Sequence, residues 1–133
     1  MLDTYHSIYG DKHYLLGIAT SNLASVYNSQ KDYPRAERMF REAVRRFTDA
    51  QGPDHLNTGI ARIKLGRSLL RQRRFAEAVV ETKAGYEVLS KQASPAIGFL
   101  QNARKDLVAE YDTLGQPEKG LRYKRELADT AKK

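Results

Sequence analysis

Gly10-Asp11-Lys12-His13 is followed, 42 residues later, by Gly52-Pro53-Asp54-His55. Gly17-Ile18-Ala19 returns as Gly59-Ile60-Ala61 at the same spacing. Leu23 returns as Leu65, Gln30 as Gln72, Tyr33 as Phe75 and Ala36 as Ala78. Self-similarity at a fixed period of this size marks a stacked-repeat protein. Such proteins work mainly by presenting an extended concave surface to a partner, so the echo weighs against catalysis.

The period divides the chain into units 10–51, 52–93 and 94–133, each reading as two helices. In the first unit, Tyr14 to Ser29 carries Leu16, Ala19, Leu23, Val26 and Tyr27 at helical spacing, which predicts a buried face. Gln30-Lys31-Asp32 breaks that helix. Asp32 is a candidate N-cap for the next, with Pro34 in its first turn. The second helix should bury Ala36, Phe40, Ala43, Val44 and Phe47, and Gln51 to Asp54 should turn the chain.

The second unit repeats the plan. Leu56 to Leu70 presents Ile60, Ile63, Gly66 and Leu69 or Leu70, Arg71 to Arg74 is the turn, and Phe75 to Leu89 presents Ala78, Gly85, Tyr86 and Leu89. In the third, Ser94 is the expected N-cap and Pro95 the first helical residue, and Ile97, Leu100, Ala103, Leu107 and Tyr111 form the face. Leu114 to Pro117 turns the chain. A last helix from about Glu118 to Ala131 should point Leu121, Leu127 and Ala128 inward. Short loops make successive helices antiparallel. Small residues recur where helices must approach: Ala24 and Gly66, then Ala36, Ala78 and Gly120.

Composition narrows the function classes. Apolar residues make up 41% and charged residues 29% of the 133, as in a soluble helical domain. No apolar run is long enough to span a membrane, and the first 30 residues show no signal-peptide core. The absence of Cys removes disulfides, thiolate metal sites and a cysteine nucleophile, and fits a cytoplasmic setting. The net charge of +7 favours acidic partners without choosing among them.

These residues resemble the tetratricopeptide repeat family. Its pattern is met by Leu23-Ala24, Tyr27, Ala36, Phe40 and Ala43 in the first unit, and by Leu65-Gly66, Leu69, Ala78, Thr82 and Gly85 in the second. The third unit matches less closely, with Leu107-Val108, Tyr111, Gly120, Lys124 and Leu127. The long period resembles that of kinesin light chains and many bacterial repeat proteins. The likeness rests on Gly52 to His55, Asn22-Leu23-Ala24 and Tyr33 to Glu37.

The resemblance implies an all-α fold, a right-handed α-solenoid of three antiparallel helix pairs acting as a noncatalytic protein-interaction module without a cofactor. Residues 1–9 then read as the tail of a preceding repeat helix, making the chain the last units of a longer array. Lys124 gives the third unit the polar outer face of a terminal cap.

By family position, the groove is lined by Ser21, Asn22, Ser25, Asn28 and Ser29, by Ile63, Lys64, Arg67 and Arg71, and by Asn102, Lys105, Asp106 and Ala109. Asn22 can both donate to and accept from a peptide backbone, or bond between helices. Lys64, Arg67, Arg71 and Lys105 suit an acidic peptide. Lys64 and Asp106 stand where Asn22 stands, so there is no Asn ladder.

Three other functions are set beside peptide binding: self-association through the N-terminal end, a regulatory region of a larger signalling protein such as a protein kinase, and a basic nucleic-acid adaptor. Arg35, Arg38, Arg41, Arg45 and Arg46, with Arg71 to Arg74, could form the adaptor's surface. They lack interleaved aromatic side chains for base stacking and read better as a solvated convex face. His13 and His55 are repeat equivalents, too far apart to share a metal, and are expected to pack or cap at the turns.

Overall fold

In a computed structural model, residues 2–92 and 97–131 are described, with side-chain surroundings for 14–92 and 97–129. Six α-helices follow one another: α1 (Leu2–Ser29), α2 (Tyr33–Gln51), α3 (Leu56–Arg71), α4 (Phe75–Ser90), α5 (Ile97–Thr113) and α6 (Pro117–Ala131). They pair as α1 with α2, α3 with α4 and α5 with α6. α2 packs on α3 and α4 on α5, which stacks the pairs into an α-solenoid.

The 42-residue period reaches the backbone of the turns. Lys31, Arg73 and Gly115 are period equivalents, with φ of 63°, 63° and 72°. Each ends the first helix of its pair in the left-handed region. The next residue's N–H then reaches back to the carbonyl oxygen of Tyr27, Leu69 or Tyr111, at 2.9, 3.0 and 2.8 Å. That bond satisfies a carbonyl the helix end would leave orphaned. Asp32 caps α2 as expected, its carboxylate accepting from the Arg35 N–H at 3.4 Å. His55 caps α3, Nδ1 accepting from the Asn57 N–H at 3.0 Å.

α2 buries the five predicted residues, Ala36, Phe40, Ala43, Val44 and Phe47. α1 departs from expectation: Leu16, Ala19, Leu23 and Val26 are exposed, and Tyr27 is half-buried. The covered side of α1 carries Gly17, Ser21 and Ala24. The apolar bulk comes from α2 instead, since a Cβ on Gly17 would stand 2.8 Å from the Phe47 ring. Small residues on α1 therefore make room for phenylalanines on α2.

The α3–α4 pair uses the same device more tightly. A Cβ on Gly66 would lie 2.1 Å from Thr82 Oγ1, and one on Gly85 would lie 2.5 Å from the Gly59 carbonyl oxygen. Ala36, Ala78 and Gly120 are all buried, as their recurrence predicts.

In α5, Leu100, Ala103, Leu107 and Tyr111 are buried as predicted, but Ile97, at the helix start, is exposed. In α6, Leu121 and Ala128 are exposed and Leu127 is only half-buried. Tyr123 holds the inner position, meeting Tyr86 edge-on at 5.2 Å and stacking on Tyr111 at 6.4 Å between ring centroids. Lys124 is exposed.

α1 runs unbroken through Gly10 to His13, where the echo of Gly52 to His55 predicts a turn and a separate preceding helix over 1–9. Asp11 stands where Pro53 stands. It keeps its N–H, and it does not push the preceding glycine out of helical conformation as a proline does. The predicted Ser94 cap and Pro95 start lie outside the described residues, as does the side chain of His13.

Candidate groove on the first helices

Each helix pair contributes its first member, α1, α3 or α5, to one side of the stack. Two hollows open there. One, of about 220 Å³, is lined by Ser25, Asn28, Ser29, Phe40, Ile63, Lys64, Arg67, Phe99 and Asn102. The other, of about 140 Å³, is lined by Ile18, Ser21, Asn22, Phe47, Asn57, Ile60, Ala61 and Lys64. Lys64 is common to both.

Most of the groove residues expected from sequence meet here: Ser21, Asn22, Ser25, Asn28, Ser29, Ile63, Lys64, Arg67 and Asn102. Arg71 and Lys105 do not line either hollow and are exposed. Ala109 also lies outside both and is exposed. Asp106 is buried rather than presented to the groove. Its carboxylate accepts from Arg67 Nε at 3.1 Å and Nη2 at 3.3 Å. Arg67 is thus already committed to a carboxylate of its own chain.

Lys64 has a different setting. Its Nζ lies 5.9 Å from the centroid of the Phe99 ring, a cation–π distance. Among the described residues no carboxylate pairs with it. Burial lowers its pKa below the usual lysine value. A partly desolvated ammonium group without a carboxylate partner is primed to donate to an anion or a carbonyl oxygen.

Sequence reasoning missed Phe40, Phe99 and Asn57 as lining residues. Phe40 is a packing residue by periodicity, and Phe99 lies one residue off the predicted face of α5. The amide groups have local partners: Asn28 Oδ1 accepts from Ser68 Oγ at 3.2 Å, and Asn57 Nδ2 donates to Gln51 Oε1 at 3.1 Å.

Behind Asp106 lies Glu110, fully buried. Thr82 Oγ1 is 3.4 Å from Glu110 Oε2, while Oε1 has no hydrogen-bond partner among the described residues. Burial pushes its pKa up to about 8. The side chain is a neutral acid at pH 7, wedged between the second and third pairs.

The arginine-rich outer face is threaded with ion pairs. Arg41 Nε donates to Glu37 at 3.0 Å, Arg46 to Glu42 at 2.7 Å, and Arg74 to both Glu37 and Glu77. These pairs neutralise much of the charge that a phosphate backbone would seek. Among the described residues no group of three or more His, Asp or Glu could hold a metal ion. No described helix is long and apolar enough to cross a membrane.

Residues 15–80 match the family model of the tetratricopeptide repeat. This stretch belongs to the tetratricopeptide repeat family. The match spans the first two helix pairs up to the start of α4, where the sequence echo is clearest. A comparison with curated proteins finds no match. Tetratricopeptide repeats generally mediate protein–protein interaction and typically serve as noncatalytic scaffolds.

Proposed function

We propose that the chain is a noncatalytic interaction module that captures a peptide segment in the groove along α1, α3 and α5. The observation that carries this reading is Lys64. It stands at the junction of the two hollows, partly desolvated and free of a carboxylate partner among the described residues. Phe40, Ile63 and Phe99 offer an apolar seat beside it for one side chain of the ligand, and Ser25, Ser29 and Asn102 offer polar contacts.

The preferred ligand carries one acidic group rather than an acidic run. Arg67 is already bonded to Asp106, and Arg71 and Lys105 stand outside the hollows. The long period and the residues Gly52 to His55 favour the kinesin-light-chain-like, bacterial form of the repeat. The outer-face ion pairs favour a peptide over nucleic acid.

The test is to screen the chain against a peptide library. The binding site of the best ligand is then mapped by backbone amide shifts. Changes at Ser25, Asn28, Lys64 and Asn102 support the groove. Changes confined to α2 and α4 would contradict it.

A further inference from the structure

One face of α1 has the register of a buried surface without the cover. Thr58, Ala61, Leu65 and Ser68 of α3 are all buried, as are their period equivalents Leu100, Ala103, Leu107 and Glu110 of α5. The corresponding residues of α1 are Leu16, Ala19, Leu23 and Val26. Leu16, Leu23 and Val26 are 49%, 44% and 50% exposed, and Leu15 beside them is also exposed. α3 and α5 each pack against the second helix of the preceding pair, α2 and α4.

The exposed set is spaced three, four and three apart, the seam of a two-helix coiled coil. Ala19, in its middle, lets a second helix come close. The flanking positions Leu15, Thr20, Asn22 and Tyr27 carry no charge, and none occurs from Tyr14 to Ser29, in a chain whose net charge is +7. With no charge on this face, two copies of the chain can meet here without setting like charges against each other.

We propose that this face pairs with the same face of a second copy, α1 against α1, antiparallel about a two-fold axis near Ala19 to Leu23. Antiparallel helices set opposite macrodipole ends together. A two-fold contact also closes on itself.

Head-to-tail stacking, with α6 of one copy covering α1 of the next, is the competing arrangement. In it Lys124 would take the place of Thr82, which bonds Glu110 across the junction of α4 and α5, and the equivalent of Glu110 is Val26. That contact would lay an ammonium group on a valine and draw Lys124 from Asp112, 3.8 Å away. The pairing thus relocates self-association from residues 1–9 to the outer face of α1. It stands or falls apart from the peptide groove, because its test reads mass and not peptide capture.

The test is sedimentation velocity of the whole chain up to about 500 μM, a range suited to a small helix–helix interface. A reversible monomer–dimer equilibrium is expected. Leu23→Glu should weaken it by at least about tenfold, with unchanged helical circular dichroism. The chain has no cysteine, so a mixture of Ala19→Cys and Leu23→Cys chains, whose residues face each other across the axis, should give a cross-linked dimer on mild oxidation. A chain that stays monomeric throughout would overturn the proposal. So would dimerisation unaffected by Leu23→Glu, or a mixture of Val26→Cys and Lys124→Cys chains that cross-links more readily than the mixture of Ala19→Cys and Leu23→Cys chains.

Discussion

Arg67 grips Asp106 with two hydrogen bonds, 3.1 and 3.3 Å long, across the boundary between the second and third helix pairs. The pair lies at the edge of the groove, with Asp106 buried and Arg67 about one-third exposed. Removing the guanidinium alone leaves a buried carboxylate uncompensated next to Glu110. Arg67→Ala should therefore cost about 1–3 kcal/mol, the lower part of the range for a broken buried pair because Arg67 is partly solvated. Adding Asp106→Ala should recover part of the loss. A double-mutant cycle by urea denaturation checks this, and strictly additive losses would show the pair to be uncoupled.

Gly66 tests the closest helix approach. An added methyl group would collide with Thr82 Oγ1 at 2.1 Å and crowd the Thr82 backbone nitrogen at 3.0 Å. Gly66→Ala should destabilise the fold by about 1–3 kcal/mol, although alanine is the better helix former. An unchanged denaturation midpoint would mean that α3 and α4 do not pack this closely.

The turns give a prediction of opposite sign. Lys31 and Arg73 hold the left-handed conformation that Gly115 holds at the equivalent position. A side chain there costs about 1–2 kcal/mol, partly offset by the entropy glycine loses on folding. Lys31→Gly and Arg73→Gly should each raise stability by about 0.5–1 kcal/mol. Loss of stability on either substitution would contradict the shared turn geometry.

The junction between the second and third helix pairs should respond to pH through Glu110. Its pKa is raised from 4.5 to about 8 by burial. Below about pH 4.5 the acid is protonated whether the chain is folded or not, and it imposes no pH-dependent penalty. Between about 4.5 and 8 the unfolded chain releases the proton while the folded chain keeps it. This group's share of stability then falls by about 1.4 kcal/mol per pH unit and is lost through pH 8. Glu110→Gln should remove that fall and stabilise the protein at pH 8 relative to the parent. Parallel stability–pH curves for the two proteins from pH 5 to 8 would contradict a buried, neutral Glu110.

The helix pairs were legible in the sequence because the signals that set them are local. Asp32 and Pro34 start α2, and the recurrence of Ala36 at Ala78 and Gly120 marks close packing. The buried side of α1 was not legible. A periodicity reading assigns Leu16, Leu23 and Val26 to the core, whereas the buried side of α1 is Gly17, Ser21 and Ala24, with Gly17 against the Phe47 ring of α2. Tyr123 was missed for a related reason: Leu121, next to Gly120, looked the better core residue, but the aromatic ring fills the space beside Tyr86 and Tyr111. In the groove, family position found Lys64 and Asn102. It could not show that Arg67 would be taken by Asp106, because that bond joins residues 39 apart across two units.

The central claim is that Lys64 anchors a peptide in the groove, and the most direct measurement is the affinity of the best library peptide for the parent chain and for Lys64→Glu. A charge reversal at an exposed rim would have a small effect. At a desolvated junction it should weaken binding by about 100-fold, or roughly 2.7 kcal/mol, while the melting temperature is kept. Equal affinities for the two proteins would contradict the account.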